Sequence, residues 1–218
     1  RFETRAAVIH ATGAELHADA DALGQADRAI AGAGCVVSVG SGTVTDVAKD
    51  ASMRAGNVPF VVVQTAVSVN AFSDDMAVLL REGVKRTVPS RWPDILLVDL
   101  AVIADAPAAM NRAGFGELCS IFTAPADWYL ANAVGLDDSY DPAIVALFRE
   151  GADFLLEGAA RVAANEPATL AELAARMTLT GIAMGVAGRT APLSGTEHLL
   201  SHLLDMRAGA ADRPLAFH

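Results

Sequence analysis

Apolar positions change rhythm partway along the chain. Over the first hundred residues, short apolar runs alternate with stretches of helical periodicity. Ala6–His10 reads as a short strand. Residues 19–32 read as an amphipathic helix, with Ala22, Leu23, Ala26, Ala29 and Ile30 on one face. Cys35–Val39 and Pro59–Val63 are continuous apolar runs, which suit a parallel sheet covered on both sides. The spacing predicts a helix over 43–53 between them. It predicts further strands at Met76–Leu80, Val84–Val88 and Ile95–Val98, the first two forming a hairpin around Glu82-Gly83.

Beyond about Asp105 the β-branched runs stop. Helical stretches are predicted at roughly 107–134, 142–164, 167–188 and 195–206, with breaks at Gly135–Asp141, Asn165–Pro167 and Pro192–Ser194. The expected architecture is an α/β nucleotide-binding domain over 1–104 with a parallel sheet, followed by an all-α domain over 105–218. A ligand cleft would lie between them.

Composition narrows the function. The chain has 218 residues, 53% hydrophobic and 19% charged, enough for a sizeable core. A net charge of −10 argues against a nucleic-acid or anionic-membrane surface. Only Lys49 and Lys85 are lysines among 16 basic residues, so a grip on an anionic substrate would fall mainly to arginine. Two cysteines make no disulfide framework, and a reduced cytoplasmic setting is expected. No uninterrupted apolar run reaches the roughly 18 residues of a membrane span.

Three local patterns carry chemistry. In Val39-Gly-Ser-Gly-Thr-Val-Thr-Asp-Val-Ala-Lys49 a buried strand enters a glycine turn and then a helix. Glycine lets backbone approach a phosphate, and a helix N-terminus offers unpaired N–H groups and the positive end of a dipole. The pattern matches neither G-x-G-x-x-G nor the P-loop, and an ordinary tight strand–helix turn explains it equally well. His198 and His202 are four residues apart on a helix, which puts both rings on one face, as in helical zinc sites; lone pairs of this kind are also common in packed helices. Ser194-Gly-Thr-Glu197 before them fits a capping box. Asp127, set among Ala, Trp and Leu, must be solvated, paired or ligating. Ala113-Gly-Phe-Gly-Glu117 interrupts a helical region with two glycines, as at a close approach or bend. His10 and His17 have no partner pattern.

In order and spacing, Gly40–Lys49, Gln64–Ser68, Gly83–Pro89, Ala113–Glu117 with Ala126–Trp128, and Leu193–His198 resemble the dehydroquinate synthase-like and metal-dependent polyol dehydrogenase superfamily, nearest the glycerol-1-phosphate dehydrogenase and glycerol dehydrogenase branches. The resemblance spans about residues 35–218. It implies NAD or NADP held by an N-terminal α/β domain and one catalytic metal in a helical domain. Gly40, Ser41, Gly42 and Thr43 would contact the pyrophosphate, with Asp46 behind them. Thr65 and Ser68 would line the nicotinamide, with Met76 and Val78 beside them. Asp127, His198 and His218 would ligate the metal, and His202 would tune it or relay protons. Ala131 stands where iron-preferring members carry a His, which implies Zn²⁺ or a less selective divalent site. The implied substrate is a small polyol or polyol phosphate, glycerol 1-phosphate or dihydroxyacetone phosphate first. Self-association into a homo-oligomer is compatible with it.

The sequence also departs from the family. Asn70 replaces an Asp that orients substrate, keeping hydrogen bonding but losing charge. Gln64 replaces a Pro, and Ser120–Phe122 stands where a Lys is common. Arg86, Arg91, Arg112 and Arg189 are the arginines considered for a phosphate grip. Cyclases of the same superfamily use more lysines and a Glu as first ligand, so Asp127 and the lysine poverty favour a dehydrogenase. Family members extend further at both ends, and no initiator Met opens the chain. A piece of a larger enzyme, with an incomplete first nucleotide-binding unit or even without activity, is the remaining expectation.

Overall fold

The computed structural model describes residues 3–13 and 15–210. Helix α1 (Ala20–Ile30) begins where the Asp19 carboxylate accepts the N–H groups of Asp21 and Ala22. Strand β1 (Val36–Gly40), helix α2 (Gly42–Arg54) and strand β2 (Phe60–Gln64) form a β-α-β unit. Strands β3 (Met76–Arg81) and β4 (Val84–Pro89) make a separate antiparallel hairpin, and β5 (Ile95–Val98) returns to the first sheet. That sheet is parallel, in the order β1-β2-β5, with Val37 opposite Val61 and Val61 opposite Ile95. The hairpin turn places Glu82 and Gly83 at φ 53° and 76°, the left-handed pair that a two-residue hairpin requires.

Every described element after β5 is a helix: α3 (Leu100–Asp105), α4 (Ala108–Leu118), a 3₁₀ turn (Cys119–Phe122), α5 (Ala124–Ala133), α6 (Pro142–Ala146), α7 (Gly151–Ala163), α8 (Pro167–Ala187) and α9 (Thr196–Ala210). Their ends follow local chemistry. Asp99 and Asp141 cap α3 and α6, prolines stand at the starts of α6 and α8, and Gly188 at φ 63° ends α8.

Several expectations are corrected. Ala6–His10 is not a strand: among described residues no strand pairs with it, and the Gln25 side chain instead bonds both the N–H and the C=O of His10. Among the described residues, the parallel sheet is covered on one face only. Phe60 and Val62 are buried beneath α2, whereas Val39 and Ile95 on the other face are 62% and 52% exposed. The predicted helix over 107–134 is broken by the 3₁₀ turn, the one over 142–164 divides after Ala146, and α3 was not foreseen. Helix α8 is long and apolar enough to cross a membrane by length and composition, despite the absence of an apolar run. Leu170, Leu173 and Met177 on it are buried in the largest helical core cluster, with Ile103, Leu118 and Phe154.

Two residues of the β2–β3 connection join the helical clusters. Val67 packs with Ile103, Leu118 and Leu173, and Met76 with Trp128, Met184 and Leu193. Asn111 accepts the Val67 N–H and donates to Ile103 O and Asn165 Oδ1, while Asn165 donates to Ala104 O. At Gly114 the α4 backbone lies against the connection so closely that a Cβ would stand 1.8 Å from Val67 O. Gly114→Ala is therefore expected to lower stability by at least about 1–3 kcal/mol in urea unfolding. At Gly116, on the same helix, a Cβ would meet nothing within 4 Å, and Gly116→Ala is expected to be neutral or stabilising by up to about 1 kcal/mol.

Candidate functional site

The glycine turn joins β1 to α2. Ser41 is the N-cap residue, yet its side chain makes no capping bond, so the first N–H groups of a 13-residue helix have no side-chain acceptor there. The two glycines are required by space and not by φ. A Cβ at Gly40 would lie 2.6 Å from Val44 Cβ, and one at Gly42 would lie 2.7 Å from Val69 Cγ2. Thr65 N–H donates to Gly40 O, joining the end of β2 to the turn. Ser41 and Thr65 line an open cleft of about 730 Å³ together with Ala101, Val102, Asp105 and Met110. That volume suits a small-molecule or cofactor site, and the open helix end gives it an anion-attracting wall.

The other residues named for the cofactor sit deeper. Asp46 is buried in α2. Burial pushes its carboxyl up to about 8 against the pull of the Lys49 charge, and it takes the Val78 N–H while its Oδ1 has no partner. Ser68 and Asn70 are buried in the β2–β3 connection, with Asn70 Nδ2 4.0 Å from Met184 Sδ. Met76 is part of a hydrophobic cluster with Trp128 and Met184, so packing alone accounts for it.

A second cluster forms where α4, α5 and α9 meet. Asp127 Oδ2 accepts the Thr196 N–H at 2.7 Å, and Thr196 holds that carboxyl below its usual range. Glu197 Oε1 accepts the Gly195 N–H at 2.8 Å. Asp127, not Ser194, thus supplies the acceptor at the start of α9, because the helix begins at Thr196, too late for Ser194 to cap it. His198 lies between two carboxylates, with Nδ1 3.0 Å from Glu197 Oε1 and Nε2 3.3 Å from Glu117 Oε2. Burial alone would depress its pKa; the hydrogen bond and charge of Glu117, then those of Glu197, outweigh this and push it up to about 9. His202, one turn on, is held down by burial and by the Lys85 and His198 charges.

Asp127 and His198 are therefore brought to one helix start. Among the described residues, however, no three His, Cys, Asp or Glu side chains form a cluster that could hold a metal, and His218 lies outside them. Glu197 Oε2 is buried without a partner. Of the arginines considered for a phosphate, Arg91 is engaged by Asp94 and Val58 O, and Arg189 by Asp137; Arg86 and Arg112 are exposed. Two important residues were missed in the sequence. Glu117 closes the glycine-interrupted segment without having been given a role. Lys49 stands in a helix with buried residues on every side, a placement that only pairing can explain.

Comparison with known proteins agrees with this architecture. Residues 1–107 match the iron-containing alcohol dehydrogenase family model. The chain is 35% identical over 173 residues to a glycerol-1-phosphate dehydrogenase, NAD(P)+, of Bacillus licheniformis, and 32% identical over 170 residues to one of Pyrococcus furiosus. These matches cover 79% and 78% of this chain but 43% and 49% of those proteins, so the chain spans about half the length of the curated relatives it matches. A probable glycerol dehydrogenase from Sinorhizobium meliloti shares the fold, with a TM-score of 0.65, 24% identity and coverage of 78% of this chain and 50% of that one. Over residues 1–107 the chain is thus similar to the iron-containing alcohol dehydrogenases, and it shares its fold with the probable glycerol dehydrogenase. Both curated relatives are glycerol-1-phosphate dehydrogenases.

Without metal, the folded His198 pKa of about 9 lies above its ordinary 6.5. The stability this pair contributes is present in full below pH 6.5 and is lost as pH rises through about 9. Imidazole NMR titration of metal-free protein should find His198 titrating near 9, and Glu117→Gln should lower that midpoint. A midpoint near 6.5 in both proteins would contradict the pairing.

Proposed function

We propose that this chain carries the dinucleotide turn and part of the metal site of an NAD(P)-dependent polyol-phosphate dehydrogenase, with glycerol 1-phosphate and dihydroxyacetone phosphate as the substrate pair. The observation that carries this reading is the uncapped start of α2, packed tight by Gly40 and Gly42 and opening on the cavity shared with Thr65. Similarity to glycerol-1-phosphate dehydrogenases supports the substrate class.

In this reading Gly40, Ser41, Gly42 and Thr43 bind the pyrophosphate, whose negative charge is matched by the helix end. Thr65 and Ser68 bound the nicotinamide pocket, with Val78 and the packed Met76 behind, and Asp46 supports the turn from within α2. Asn70 orients the substrate by neutral hydrogen bonds. The residues before about 104 form the nucleotide-binding domain, and those after it the metal and substrate domain.

Donor chemistry at the start of α9 suits a divalent cation: one carboxylate, one imidazole and a buried carboxylate oxygen without a partner. Asp127, His198 and His218 would hold it; we assign zinc or another divalent metal. When bound, the cation supplies Lewis acidity toward a substrate oxygen. The protein's residues do the rest. Thr65, Ser68 and Asn70 would hold the substrate's alcohol carbon toward the dinucleotide, which would supply the hydride acceptor, while the hydroxyl proton would be left to the protein. His202, held neutral, accepts that proton on its way to solvent.

His198 must lose its proton to bind a cation. Calorimetric titration with Zn²⁺ at pH 7, in buffers of different ionisation enthalpy, should show about one proton released per metal bound. Asp127→Ala and His198→Ala should each lower metal affinity by about tenfold or more and cut hydride transfer on glycerol 1-phosphate correspondingly. Full metal content and activity in both variants would sink the assignment.

A further inference from the structure

Lys49 lies on α2 about two turns beyond the glycine turn and is completely buried. Its Nζ is 2.6 Å from Ala71 O, 2.6 Å from Asp74 Oδ1, 2.8 Å from Met76 O and 3.2 Å from Asp74 O. Three N–H donors thus face four oxygens, all from one stretch of six residues. A buried ammonium is tolerated only where its lost hydration is replaced this fully. An apolar side chain of equal length could fill the space but could not hold three carbonyls and a carboxylate.

The same stretch is fixed from the opposite side. Ser73 Oγ donates to Thr178 O at 2.9 Å, and a Cβ at Gly181 would stand 2.5 Å from Asn70 O. Upstream, Asn111 and Gly114 fix Val67. Ser68 and Asn70 lie between these attachments. Of the three fixings, the Lys49 one alone bonds the segment to the helix that begins with the glycine turn, where Val69 also packs against Gly42.

We propose that Lys49 is a positioning residue: its ammonium ties residues 71–76 to α2 and thereby sets Ser68 and Asn70 at a fixed distance from the Gly40–Thr43 turn at the head of the same helix. The consequence for turnover rests on the dehydrogenase reading; the tether itself does not. Removing the ammonium leaves the turn and its cavity in place but frees the far side of the site. Dinucleotide affinity is then largely kept while the rate falls, because displacement of positioning groups by about 1 Å can cost on the order of 100-fold in rate.

The test compares wild type, Lys49→Met, which keeps length and volume, and Asp74→Asn, which keeps the three carbonyl contacts and removes only the charge. Hydrogen exchange is followed by mass spectrometry, dinucleotide binding by NADH fluorescence, and turnover with glycerol 1-phosphate. In Lys49→Met, amides of 70–76 should exchange about tenfold faster or more while those of β1 and α8 stay unchanged. Its kcat should fall about tenfold or more while the dinucleotide Kd stays within about threefold. Asp74→Asn should move the same readouts in the same direction by less, and it carries the test if Lys49→Met does not fold. Unchanged exchange at 70–76, uniform acceleration of all amides, or a loosened segment with undiminished kcat would each overturn the proposal. So would a parallel fall of kcat and dinucleotide affinity. Absence of any hydride transfer in wild type would refute the dehydrogenase reading instead, and the exchange pattern would still decide the tether.

Discussion

The fold depends on one buried connection between β2 and β3. Residues 66–68, 70 and 72–74 are buried, yet the connection has no regular structure. Its backbone groups therefore need partners from elsewhere. Three elements supply them: α2 through the Lys49 ammonium, α4 through Asn111 and the space left at Gly114, and α8 through Thr178 O and the space left at Gly181. Val67 and Met76 add apolar anchors in the two helical clusters. This is how a β-α-β unit and a set of helices become mutually ordered, and both candidate sites lie beside it.

The two sites draw on opposite electrostatic resources. Around the glycine turn the attraction for an anion comes from backbone, through an uncapped helix end. At the start of α9 it is carboxylates that gather, Glu117 and Glu197 flanking the His198 imidazole. The negative net charge is thus compatible with an anionic ligand, because the group meeting it is not a charged side chain. Glycine serves the same design in another way. Gly40, Gly42, Gly114 and Gly181 all have ordinary φ but stand where a Cβ would collide, so close packing dictates them.

Much of this was legible in the sequence. Apolar runs located β1, β2, β5 and the hairpin to within a residue or two, because a strand's period and its turn residues are local properties. The shift to helices after Asp105 was equally plain. The sequence could not show that, among the described residues, Ala6–His10 lacks a strand partner and one sheet face lacks cover, since both depend on what lies alongside. Glycine spacing marked the tight turn between β1 and α2, and helical spacing the His198–His202 face. Long-range pairings remained hidden: Glu117 lies 81 positions before His198, and Lys49 reaches residues more than 20 positions away. Asp127 was legible as a carboxylate in need of a partner, but Thr196 N–H as that partner was not.

The central claim is that the turn between β1 and α2 receives the dinucleotide pyrophosphate. Hydrogen exchange of the protein with and without saturating NAD+ or NADP+ tests it most directly. The account predicts slowed exchange at the amides of 41–45 and at Thr65, with at least one of the two dinucleotides. Unchanged exchange there with both, or protection confined to other parts of the chain, would contradict it.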